Sequence, residues 1–335
     1  MALSEERIGI WGEHIPFNTG KSKLEDMPVI HKDWTMQDIF TAPDNLFDKV
    51  EYVKNMEATD TMVYLTEMVP GNCSMNYEDE PYLVAYPVEG AKYCVLDVPG
   101  GAYLSVSMDN EGEVVAKRLN AQGISVFVLR YRTYPYKFPS MFTDCQRAIR
   151  WLIAHAKDYG YDPEKISMIG YSAGGNLVGS TYHLFLNEDL FPVDYEKDEI
   201  DKITAKVATL GLVYPKTMFT NSSKLMIPVL GLDVIHDDAK RAEAIEKYTL
   251  NTKVKPGQVP TFLVNATDDD LIPSEDILDY AMRLHKAGVP FEMHNYSRGG
   301  HGFGGCQDKN PMFPADLEGV DTWMDHYAMW LKKNC

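Results

Sequence analysis

An α/β fold built on a mainly parallel sheet is predicted by two patterns in the chain. Short apolar runs suited to buried strands, such as residues 93–98, 166–169 and 260–266, alternate with longer segments whose apolar residues recur at helical spacing. One of these runs passes through Gly170-Tyr171-Ser172-Ala173-Gly174 directly into a helix-forming segment. Hydrophobic residues make up 45% of the 335, enough for one large core, and no internal repeat or low-complexity tract interrupts the alternation.

Residues 1–80 are rich in acids, Met, Asn and aromatics and do not follow this alternation. They are expected to form an N-terminal extension packed on a main domain of residues 81–335, with a helix over 42–54 and a polar connection at 70–74. Trp11, Phe17, Trp34, Phe40 and Phe47 are its candidate anchors. Aromatic rings in a segment too short for a generous core need another surface, either the mouth of a site or a neighbouring subunit.

A strand over 93–98 leads into Pro99-Gly100-Gly101-Ala102-Tyr103. Successive small residues there let backbone amides converge on one oxygen without side-chain collisions, which makes Gly101 and Ala102 candidate donors. The strand ending at Gly170 turns sharply at Ser172, and Gly170 and Gly174 leave room where a Cβ would strike neighbouring backbone. Ser172 Oγ is then exposed. The Ala173 amide, at the positive end of the new helix, is expected to join Gly101 and Ala102 as a third oxyanion donor.

A serine hydroxyl becomes a useful nucleophile only when a base takes its proton and a third group holds that base. Residues 181–258 read as a stretch containing a short cap, with a strand at 205–215 and a polar helix at 237–249. Beyond it, a strand over 260–266 ends in Thr267-Asp268-Asp269-Asp270-Leu271-Ile272-Pro273. A helix over 274–287 and a strand over 291–296 then lead to Ser297-Arg298-Gly299-Gly300-His301-Gly302-Phe303-Gly304, where small residues leave space for a mobile His301 ring. His301 combines a glycine loop, a preceding strand and the order serine, acid, histidine, whereas His155 and His183 fall within helices and His294 within a strand. Asp269, at the first tight position after its strand, is the expected acid. Asp268 and Asp270 remain alternatives, and otherwise cap the following helix or bond the turn.

A formal net charge of −17 opposes binding to nucleic acid or an anionic membrane surface, and is also the ordinary solvated state of many proteins. No stretch approaches the ~18 apolar residues of a membrane span, and residues 1–7 lack an apolar signal segment, so a cytoplasmic location is expected. Cys73, Cys94, Cys145, Cys306 and Cys335 show no CxxC spacing, which favours free thiols over zinc or disulfides and predicts neither a metal nor a cofactor.

Pro99-Gly-Gly-Ala-Tyr103, Gly170-Tyr-Ser-Ala-Gly-Gly-Asn-Leu177, Ala266-Thr-Asp-Asp-Asp-Leu-Ile-Pro273 and Gly299-Gly-His-Gly-Phe303 together resemble the α/β-hydrolase superfamily. Within it they are similar to the acetyl esterase/lipase and feruloyl-esterase-like group related to hormone-sensitive lipase. The resemblance runs from about residue 81 to 335 and takes in Arg130-Tyr131-Arg132 and residues 138–144. Pro99 stands where the family commonly has the His of His-Gly-Gly-Gly, and Ala102 replaces the third glycine, changes that keep the backbone donors but bear on the subfamily. The resemblance implies an eight-stranded-type sheet with helices on both faces and hydrolysis of short-chain, acetyl esters through an acyl-enzyme. Ser172 would be the nucleophile, His301 the base, Asp269 its partner, and Tyr103 and Tyr171 would bound the substrate pocket. A small-molecule or oligosaccharide ester, plausibly on plant-derived sugars, is the implied substrate, and a homo-oligomer is compatible. The same three residues would serve a feruloyl esterase, an arylformamidase or a peptidase. A binding protein on this fold is disfavoured by the retained serine, acid and histidine.

Overall fold

The computed structural model describes residues 7–18, 78–103, 105–133, 136–220, 229–231, 234, 237–306 and 317–335. Its strands are β1 (Arg7–Gly9), β2 (Tyr82–Tyr86), β3 (Tyr93–Val98), β4 (Ile124–Arg130), β5 (Ile166–Tyr171), β6 (Thr209–Val213), β7 (Thr261–Ala266) and β8 (Phe291–Tyr296). They form one eight-stranded sheet in the order β1-β2-β4-β3-β5-β6-β7-β8. β2 runs antiparallel to both β1 and β4, and the six strands from β3 to β8 are parallel. The main helices are α1 (Val114–Asn120), α2 (Ser140–Tyr159), α3 (Ser172–Ser180), α4 (Asp238–Tyr248), α5 (Ser274–Lys286) and α6 (Thr322–Asn334).

The inner strands β2 to β7 read as largely apolar, buried runs because both faces of the sheet are covered. Leu96, Phe127 and Leu129 pack with Ile149 of α2, Leu177 of α3 and Leu284 of α5. Their neighbours Val95, Val126 and Val128 point the other way, into a second core with Leu119 of α1 and Trp323, Tyr327 and Leu331 of α6. The expected mainly parallel sheet with helices on both faces is therefore present. The strand expected over 205–215 is confined to Thr209–Val213, while β1 and β2 carry no signal strong enough to be expected from sequence.

The chain passes from β3 to β4 on one side and then back across β3 to β5. The loops leaving β3 and β5 thus diverge, and this reversal of strand order is where an open α/β sheet leaves a crevice.

Residues 7–18 belong to the body of the fold. β1 completes the sheet edge and Ile10 is buried in the first core. The Trp11 indole N–H donates to Asp144 Oδ1 at 2.9 Å, and the Arg147 guanidinium lies over the Trp11 ring at 4.9 Å. Arg147 also donates from Nε to the Ile10 carbonyl at 2.7 Å, and Arg132, in a fully buried pair with Asp144, donates to the Pro16 carbonyl at 2.6 Å. Trp34, Phe40, Phe47, the helix expected over 42–54 and the connection at 70–74 lie outside the described residues. Among the described cysteines, Cys94, Cys145, Cys306 and Cys335 are free thiols. No described helix is long and apolar enough to cross a membrane.

Trp11 ties β1 to α2 through both its ring and its N–H. Trp11→Ala is expected to cost about 2–3 kcal/mol, read as a lower urea midpoint with an unchanged m-value. An unchanged midpoint would show that this anchor contributes nothing to stability.

Candidate active site

Ser172 sits at the mouth of the β3/β5 crevice with φ 49°, a left-handed conformation that a non-glycine residue adopts only when its surroundings force it. Those surroundings are backbone. A Cβ on Gly174 would lie 2.1 Å from the Val98 carbonyl oxygen, and one on Gly170 would lie 2.4 Å from the Gly174 carbonyl oxygen. The turn can close only with glycine at both positions, which forces Ser172 outward. Tyr171 and Ala173 are buried while Ser172 retains partial exposure.

Loops at the carboxyl ends of β7 and β8 bring two further side chains to it. His301 Nδ1 lies 2.7 Å from Asp269 Oδ2, and His301 Nε2 lies 2.8 Å from Ser172 Oγ. The carboxylate can only accept, so the proton belongs on Nδ1 and the hydroxyl donates to Nε2. Asp269 Oδ1 accepts from the amides of Leu271 at 3.0 Å and Ile272 at 2.8 Å, which locks the carboxylate in place. Glycine freedom around His301 does not produce a mobile ring. Gly299, Gly300 and Gly302 all take positive φ, and the side chain is only 4% exposed, with the Tyr214 ring against it at 5.0 Å.

The three consecutive aspartates separate cleanly. Asp268 Oδ1 accepts from the Gly300 amide at 2.8 Å and so steadies the histidine loop, while Asp270 is exposed. Neither caps α5, whose N-terminus has no side-chain cap, and the turn amides go to Asp269 itself. Of the other histidines, His183 is held against the Tyr280 hydroxyl at 2.8 Å, and burial pulls its pKa down to about 4. His155 stacks on Trp151, and His294 pairs with Glu292.

The loop after β3 turns through positive φ at Gly101, Ala102 and Tyr103. Its carbonyls are taken up locally, with Ser105 N–H donating to Gly101 O and Ser107 N–H to Gly100 O, both at 3.0 Å. The Gly100 amide is occupied, donating to Glu111 Oε2 at 2.6 Å. Among the described residues no acceptor takes the Gly101 or Ala102 amides. Ala173 lies in the first turn of α3, where amides have no intrahelical partner.

Tyr103 and Tyr171 do not face a substrate. Both are fully buried. Tyr103 donates to Asn176 Oδ1 at 2.8 Å and stacks edge-on with Tyr131. Tyr171, next to Gly170 in a strand whose side chains alternate, points to the opposite core between Tyr214 and Trp323. A small concavity of about 10 Å³ lies beside Asn176, one helical turn from Ser172, and is lined by Phe142, Phe219, Val229, Leu230 and Tyr248.

Sequence reasoning missed Glu111, Asn110, Tyr214 and Asp97. Glu111 Oε1 accepts from the Tyr214 hydroxyl at 2.8 Å, and that hydroxyl accepts from the Gly304 amide at 2.8 Å. Asn110 Nδ2 donates to the Gly302 carbonyl at 3.0 Å. Burial pushes the Glu111 carboxyl above the usual range, while the bonds from Tyr214 and Gly100 and the nearby His301 pull it back. Asp97, fully buried on β3, is driven far above the carboxylate range by burial and by Glu111. These contacts span 90 to 192 residues of chain, so no local motif announces them.

Residues 95–304 match a family described as having the alpha/beta hydrolase fold. Endo-1,4-beta-xylanase B of Butyrivibrio fibrisolvens is 26% identical over 320 residues, covering 92% of this chain and 44% of its own length, so that match extends well into residues 1–80. An acetylxylan esterase of Xylanibacter ruminicola is 25% identical over 224 residues, 63% of this chain and 41% of its own length. The chain spans half or less of the length of these curated relatives. A solved acetyl ester-xyloside bifunctional hydrolase from Caldicellulosiruptor lactoaceticus superposes with a TM-score of 0.64 at 30% identity, over 76% of this chain and 88% of that one.

Burial favours the protonated form of Asp97 in the folded protein, whereas the unfolded chain releases that proton above about pH 4. The native state therefore binds the extra proton, and this group withdraws stability as pH rises from there. Asp97→Asn is expected to raise Tm at pH 7 by about 2 °C or more, with a smaller gain at pH 4. A gain confined to acid pH would contradict the assignment.

Proposed function

The chain belongs to the α/β-hydrolase fold family, and from that premise we propose that it is a serine carboxylesterase cleaving acetyl or other short-chain esters of sugars or oligosaccharides. The observation that carries this reading is the hydrogen-bonded line from Asp269 through His301 to Ser172.

Ser172 Oγ attacks the ester carbonyl carbon as its proton passes to His301 Nε2. Asp269 holds the imidazolium through Nδ1–H. The carbonyl oxygen becomes an oxyanion received by the amides of Gly101, Ala102 and Ala173. As the tetrahedral species collapses, the carbon–oxygen bond to the alcohol breaks and His301 returns its proton to the leaving oxygen, leaving an acyl-serine. Water, deprotonated by the same nitrogen, attacks the acyl carbon, and the carboxylic acid departs as Ser172 regains its proton.

The sugar-ester preference follows two of the relatives, an acetylxylan esterase and an acetyl ester-xyloside bifunctional hydrolase. The concavity beside Asn176 is narrow and largely walled by aromatic and aliphatic side chains, which favours a short acyl group over a long one. Four of its lining residues, Phe219, Val229, Leu230 and Tyr248, come from 181–258, in keeping with a cap in that stretch that helps choose substrates.

Ser172→Ala should lower kcat/KM for p-nitrophenyl acetate by several orders of magnitude without changing Tm, because the three side chains act as a unit. A folded variant keeping more than about a tenth of wild-type kcat/KM would refute the nucleophile. Asp269→Asn should cost about 10³-fold or more in kcat. Asp268→Asn, which only loosens the Gly300 anchor, should cost roughly tenfold at most, and the reverse ranking would assign the acid to Asp268.

A further inference from the structure

Glu111 is buried between the two loops that must be aligned with Ser172 and His301. It lies on the wide helical turn Met108–Glu113 that precedes α1. On one side, its Oε2 accepts from Gly100, and a Cβ placed on Gly100 would come within 3.0 Å of that oxygen. On the other side, a Cβ on Gly304 would lie 2.8 Å from Glu111 Cγ and 2.7 Å from Asn110 Nδ2. Through the Tyr214 hydroxyl, Glu111 also reaches the Gly304 amide, and the Gly305 amide donates to the Asn110 carbonyl at 2.8 Å. The pair Asn110-Glu111 is thus a wedge that bonds to the loop after β3 at Gly100 and to the loop after β8 at Gly302, Gly304 and Gly305.

We propose that Glu111 is a positioning residue that sets the oxyanion amides and the His301 loop in one register, so that neither loop can shift without the other. The inference rests on the esterase reading for its kinetic consequence, and on geometry alone for the coupling. A carboxylate suits this place because its two oxygens accept separately, Oε2 from an amide N–H and Oε1 from a phenol O–H, whereas a glutamine of the same length offers one acceptor oxygen. Misplacing a catalytic group by about 1 Å costs on the order of 10²-fold in rate, and the loss falls on the transition state rather than on substrate binding.

The test uses the full chain with Glu111→Ala, Glu111→Gln and Tyr214→Phe. With p-nitrophenyl acetate, Glu111→Ala should lower kcat about 10²-fold with KM within about threefold of wild type. Glu111→Gln, whose amide oxygen can still accept from Gly100, should recover at least about tenfold of that loss. Tyr214→Phe, which keeps the ring against His301 but removes the hydroxyl, should lower kcat about tenfold. A folded Glu111→Ala with kcat within about threefold of wild type would overturn the proposal. If that variant does not fold, a Tyr214→Phe protein with wild-type kcat overturns it. Amide hydrogen exchange gives a readout that needs no turnover. Exchange should rise in Glu111→Gln or Tyr214→Phe at both Gly100 and Gly304, and a rise confined to one loop would overturn the coupling. A wild-type protein that neither hydrolyses esters nor reacts with a fluorophosphonate at Ser172 would instead defeat the esterase reading, leaving the exchange result to decide the wedge.

Discussion

The packing of α3 against the end of β3 is the constraint on which the site depends. Gly174 sits so close to the Val98 and Pro99 carbonyls that no side chain fits, and Gly170 is pressed against Gly174 in turn. This contact fixes the angle at which β5 becomes α3. It leaves Ser172 at φ 49° and sets the start of α3 against the loop after β3. Strain at one residue is sustained because the buried strands on either side over-determine the turn.

Behind that turn the sheet supplies rigidity and a low-dielectric wall. The six parallel strands are packed on both faces, so the loops carrying Ser172, Asp269 and His301 leave a frame that cannot easily shear. Asp97, Glu111, Tyr171 and Tyr214 are all buried within one cluster, and burial raises the pKa of each. A core that keeps ionisable groups at a cost in stability while bonding some of them to the two site loops has traded cohesion for placement.

The fold class and the elements near the site were legible in the sequence because they rest on local signals. Apolar runs marked β3, β5 and β7, and two glycines flanking a serine marked a turn whose geometry has few solutions. The order of Ser172, Asp269 and His301 was readable because each follows a strand, and the meeting of their side chains is a consequence of parallel strands ending on one edge. What could not be read was side-chain direction and long-range pairing. Tyr171 looked like a pocket wall until strand alternation turned it into the far core, and Tyr103 until its hydroxyl was found on Asn176. Asp268 looked like a helix cap but reaches Gly300 across 32 residues. The Glu111 wedge had no signal at all, since its partners lie in separate loops.

The central claim is that chemistry passes through a covalent ester on Ser172. The most direct measurement is rapid acid quench of wild-type protein mixed with p-nitrophenyl acetate, followed by intact mass and peptide mapping. The account predicts a transient gain of about 42 Da, an acetyl group, on the peptide containing Ser172. Turnover with no adduct under conditions where deacylation is slowed, or an adduct on a different residue, would contradict it.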